Sequence, residues 1–90
     1  MSDNQEASVV HCVNETIQEH DPKAGIHDDW KMGDDYGYED VSIKLFLNCV
    51  QVKLGKAGYD FTYKKGFGKS CLGKTLEDTK VAIDQNTEEA

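Results

Sequence analysis

Ninety residues suffice for one domain with a single small core. A composition 38% apolar and 30% charged, with a mean hydropathy of −0.65, is that of a folded but wet chain. The net charge of −7 is unevenly laid: residues 1–40 carry eleven acids and two lysines, residues 41–75 one acid and seven lysines, residues 76–90 five acids and one lysine. Every basic residue is a lysine, which excludes the forked, bidentate grip that arginine gives on phosphate or carboxylate. No run is apolar for the length of a membrane span, and the N-terminus lacks the order of a secretory signal, so the expectation is a cytoplasmic protein with no membrane partner. Cys12, Cys49 and Cys71 are odd in number and far apart, with no CxxC pair, and are expected to be buried or inert thiols of a reducing compartment.

In chain order, residues 2–20 open with capping residues, and Val9 or Val10, Val13 and Ile17 fall on one helical face. Asp21-Pro22 stops that helix, because the residue before proline avoids the helical region. Residues 21–38 form a long acidic connection in which Ile26, Trp30 or Met32 plugs the core. The densest apolar stretch follows. Asp40 serves as N-cap, Phe46, Leu47, Val50 and Leu54 make one apolar stripe, and Gly55 and Gly58 close the helix. A competing period-2 pattern, Val41, Ile43, Leu45, Leu47 and Cys49, would instead give a hairpin over residues 41–63 returning through Tyr59, Phe61 and Tyr63. That alternation slips at Cys49-Val50 and puts Phe46 on the wrong face. Thr75 with Asp78 starts a short last helix running to about Gln85, and residues 86–90 are expected to be a flexible tail. The fold class read from this pattern is an all-α bundle of three to four helices, folded over about residues 5–85, with an α+β domain as the alternative.

Gly68 to Thr75 matches the phosphate-loop pattern GxxxxGK[ST] letter for letter. Its setting is wrong, since no buried strand precedes it and too little chain follows for a parallel sheet, so it reads as a glycine-rich connector ending at a threonine N-cap. Lys53, Lys56, Lys64, Lys65 and Lys69, interleaved with Tyr59, Phe61, Tyr63 and Phe67, carry the ingredients of a single-strand nucleic-acid surface. Asp28, Asp29, Asp34 and Asp35 miss the oxygen ladder of a calcium loop and read as a solvated acidic loop. The three histidines share no metal-ligand spacing, and no catalytic centre is evident.

The order of a long first helix, a long acidic loop, a second helix opening just after a glycine, and a short last helix resembles the acyl carrier protein family. Asp34-Asp35-Tyr36-Gly37-Tyr38-Glu39-Asp40-Val41 can be laid along that family's D-x-L-G-x-D-S-L motif, and the likeness spans about residues 5–85. Asp40 stands where the family carries its phosphopantetheine serine. The resemblance therefore implies a non-enzymatic module that acts by binding another protein, without a cofactor, with Asp34, Asp35, Glu39 and Asp40 at the recognition end. Ser42, two residues on, is the hydroxyl that phosphopantetheine would take if it were attached. The alternative function is a small acidic protein of phage or mobile-element type, which either binds nucleic acid through the lysine-aromatic segment or mimics it with its acidic one.

Overall fold

The computed structural model describes residues 1–17 and 25–90. The apolar mid-section resolves as helix α2, Asp40–Lys56. Ile43, Phe46, Leu47, Val50 and Leu54 are fully buried along one side, while Val41 and Leu45 stand 75% and 57% exposed on the other. The helical period wins over alternation because only it buries Phe46 together with Ile43 and Leu47. The cap lies one residue earlier than Asp40: Glu39 is the N-cap, its amide donates to Ser42 Oγ at 2.8 Å, and Asp40 occupies the first turn, where a carboxylate suits the helix dipole.

Helix α1, Asp3–Thr16, begins at a reciprocal capping box in which Gln5 N donates to Ser2 Oγ at 3.3 Å and Ser2 N to Gln5 Oε1 at 2.6 Å. It packs Val9, Cys12 and Val13 against α2 and ends at an extended Ile17. The expected stop at Asp21-Pro22 lies outside the described residues. Cys12 and Cys49 form a disulfide between α1 and α2 with their Cα atoms 5.6 Å apart, which corrects the expectation of three inert thiols; Cys71 alone is free, and buried.

The acidic connection is held on both sides. Met32 and Tyr36 are fully buried, whereas Ile26 and Trp30 are half-buried, so methionine is the plug. Met32 N donates to Lys74 O at 2.9 Å, Gly33 N to Leu72 O at 3.0 Å and Leu76 N to Trp30 O at 2.8 Å, strapping the loop to the turn between helices α3, Phe67–Leu72, and α4, Leu76–Gln85. Gly33 is required at this crossing, because a Cβ there would sit 2.8 Å from the Leu72 carbonyl oxygen.

Strand β1, Tyr59–Phe61, pairs antiparallel with β2, Thr87–Glu89, with Tyr59 opposite Glu89 and Phe61 opposite Thr87. This sheet overturns the all-α, acyl-carrier-like bundle: the described residues form an α+β fold with four helices and one two-stranded sheet. The hairpin over residues 41–63 is not formed either, since residues 41–56 are helical and the partner of β1 comes from the C-terminal end. That end, expected to fray, is instead paired. Gly58 at φ +92° turns the chain out of α2, and Phe61 drops into the core while Asp60 faces out, so Phe61 anchors β1 to the core. Gln51 Nε2 donates to Phe61 O at 3.1 Å and ties the sheet to α2.

Two buried polar groups bind the parts together and set an alkaline limit. Tyr38, 3% exposed, is hydrogen-bonded to Thr16 Oγ1 at 2.8 Å and donates to Val13 O at 3.3 Å, closing the acidic loop onto α1. Lys80 on α4, 9% exposed, donates to Glu6 of α1 at 3.0 Å and to Asp28 of the loop at 2.8 Å. Burial pushes the Tyr38 phenol up to about 12 and the Cys71 thiol up to about 11. For Lys80 burial pulls the ammonium down, but its hydrogen bonds to Asp28 and Glu6 outweigh that and leave it raised. All three groups hold their protons more tightly folded than unfolded, so the stability they give is complete at neutral pH and is lost as pH rises through their folded values. Denaturation midpoints should therefore be flat near neutrality and fall from about pH 9, with Tyr38 alone removing roughly 2 kcal/mol by pH 12. In Tyr38→Phe the upper part of that fall should shrink.

Candidate functional site

Two glycines bring the basic residues to one place. Gly66 at φ +93° turns the chain after Lys64 and Lys65 into α3, and Gly68 lets α3 lie directly on α2, where a Cβ would come within 3.3 Å of Ile43 Cγ2 and Leu47 Cδ1. Between these elements lies a groove of 530 Å³ lined by Asp40, Lys44, Leu47, Asn48, Tyr63, Lys64, Lys65, Gly66, Gly68 and Lys69. Its volume falls within the roughly 300–1,000 Å³ usual for ligand sites. Four lysines and a single aspartate line the groove with the half-buried Tyr63, and Leu47 and Gly68 are buried beneath it, so the groove is cationic and draws its apolar surface from the Tyr63 ring and the lysine stems.

Lys64, Lys65 and Lys69 are thus gathered as a group, while Lys53 and Lys56 are not part of the lining. They lie toward the far end of α2, Lys53 about 13 Å along the axis from Lys44. Lys44 was missed as a member of the basic set because its place depends on α3 packing across α2, which no local pattern announces. The aromatic residues also divide. Phe61 is buried, Phe67 packs 6.1 Å from Phe61 and 5.8 Å from Tyr63, and only Tyr63 reaches the groove.

The four acids expected at a recognition end separate as well. Asp34 is exposed and lines neither depression beside α2; Asp35 turns its carboxylate back to accept from Lys31 N at 2.7 Å. Glu39 caps α2. Asp40 alone borders both the lysine groove and a second, 440 Å³ depression formed with Tyr38, Glu39, Val41 and Leu72. The outer face of α2 also presents Leu45, which with Val41 is apolar and largely exposed. A separate acidic hollow of 270 Å³ at Glu6, Asp28, Glu77 and Asp84 is neutralised in part by Lys80, whose ion pairs take up Glu6 and Asp28.

Reactive groups are turned inward. Ser42 Oγ accepts from Glu39 N and donates to Glu39 O at 3.3 Å within a buried first turn. The Cys71 thiol is buried and its pKa raised, the opposite of an activated nucleophile. Gly68 to Leu72 of the phosphate-loop pattern is helical, and Thr75 caps α4 by accepting from Asp78 N at 3.2 Å, so these backbone amides do not form a phosphate cradle. Among the described residues no group of three His, Cys, Asp or Glu side chains is placed to hold a metal ion, and no helix is long and apolar enough to cross a membrane.

Fold and site together define a small α+β protein with a basic groove on its central helix. No protein-family model matches the chain, and neither a curated protein nor a solved structure is significantly similar to it.

Proposed function

We propose that this chain is a non-enzymatic interaction module that grips an anionic partner between the N-terminal half of α2 and the β1–α3 loop. The observation that carries this reading is the groove itself: Lys44, Lys64, Lys65 and Lys69 line one groove with the Tyr63 ring, on the helix that also exposes Val41 and Leu45. Four cations held together on a protein of net charge −7 need a structural reason, since the acidic remainder repels any anion that approaches elsewhere. The carrier-like reading is kept only in its non-enzymatic, protein-binding form. Asp40 then borders the contact surface as its one acid, and Ser42 stays unmodified, because its hydroxyl would have to leave the Glu39 backbone to accept phosphopantetheine. The Cys12–Cys49 disulfide favours an oxidising compartment over the cytoplasmic one read from the sequence.

Fluorescence anisotropy with a labelled oligoglutamate tests the groove. Binding should be measurable at low salt and weaken as salt rises, because exposed lysines contribute through screened attraction. Replacing Lys44, Lys64, Lys65 and Lys69 together by glutamine should reduce affinity at least about tenfold, with the circular-dichroism spectrum unchanged. Equal binding by wild type and the quadruple variant would refute the site.

A further inference from the structure

We infer that the groove's occupant is an acidic polypeptide segment carrying aliphatic side chains, an inference that rests on the function proposed above. Charge complementarity decides the first part. The rim offers four ammonium groups against one carboxylate, and Lys64, Lys65 and Lys69 are all exposed, free to meet carboxylates spaced along an extended chain or one face of a helix.

The apolar surface decides the second part. Beside the half-buried Tyr63 ring and over the backbone of Gly66, where a Cβ would meet nothing within 4 Å, lies space that carboxylates cannot use but a leucine or valine side chain can fill. One residue on from Asp40 and Lys44, Val41 and Leu45 add apolar surface on the outer face of α2, 75% and 57% exposed. A partner with acids alone would leave these uncovered; one that alternates acids with aliphatics covers both.

Nucleic acid fits less well. A single strand is held by successive rings that stack on its bases. Here one ring, Tyr63, lines the groove, and Phe61 and Phe67 are occupied in packing against each other and against it. Nor is there an arginine to fork onto a phosphate.

The test compares three labelled probes on the intact chain by anisotropy in one buffer: a short peptide alternating glutamate and leucine, an all-glutamate peptide of the same length, and an oligothymidylate of equal charge. The glutamate-leucine peptide should bind about tenfold more tightly than the all-glutamate one, the increment expected for burying one aliphatic anchor. Lys64→Gln combined with Lys65→Gln and Lys69→Gln should remove most of its affinity. Equal binding of the two peptides would overturn the aliphatic requirement while leaving the groove an anion site. Tighter binding of the oligothymidylate would overturn the polypeptide assignment, and no binding by any probe would overturn this inference and the proposed function together.

Discussion

Replacing Cys12 and Cys49 together by alanine is expected to lower folding stability by about 4 kcal/mol, from the chain entropy released when a loop spanning 37 residues is no longer closed. For 90 residues the total is roughly 5–13 kcal/mol, so this one bond carries a large part of it. The reason is structural as well as entropic. The bond joins α1 to α2, with Cys12 fully buried beside Val9 and Val13 and Cys49 half-buried. Without the bond, α1 keeps its tether to α4 through Glu6 and Lys80 and its contacts with Tyr38 through Thr16 and Val13, all of them non-covalent polar contacts. Urea denaturation of the wild type with and without reductant, beside the double variant, measures the difference. Reduced wild type should behave as the variant does. A loss below about 1 kcal/mol in both would mean that the helices are held by packing alone.

Phe46→Ala should cost about 3–5 kcal/mol, the range for removing a fully buried aromatic side chain and leaving a cavity. The ring is wholly inaccessible and lies 5.6 Å from that of Tyr38, tilted by 49°, so its loss also loosens the loop that Tyr38 anchors to α1. Leu45→Ala, one residue away on the exposed face, should cost no more than about 0.5 kcal/mol. The contrast between neighbours is diagnostic. An alternating strand would bury Leu45 and expose Phe46, reversing the order of the two effects.

The legible parts of this fold are those written in local pattern. The stripe from Phe46 to Leu54 specified α2, the capping residues that open residues 2–20 the start of α1, and Thr75 with Asp78 the start of α4, because capping and helical period act within a few residues. The sheet was not legible. Its second strand is Thr87–Glu89, with no apolar alternation and two glutamates, and exists only because β1 offers it an edge. The disulfide was hidden for a related reason: three cysteines at wide spacing allow any pairing, and only the packing of α1 on α2 selects Cys12 with Cys49. Of the groove, the basic run Lys64, Lys65 and Lys69 was visible, while the place of Lys44 depends on Gly68 admitting α3 against α2. The acidic recognition end was read as one cluster because its members are close in sequence. Asp35 turns its carboxylate into its own loop, while Asp34, Glu39 and Asp40 stay exposed.

The most direct test of the account is a two-dimensional ¹⁵N–¹H NMR titration of the labelled protein with the glutamate-leucine peptide. The account predicts that amide shifts concentrate at Asp40, Lys44, Leu45, Asn48 and from Lys64 to Lys69, while α1 and α4 stay still. Shifts centred on the acidic hollow at Glu6, Glu77 and Asp84, with the lysine groove unmoved, would contradict it.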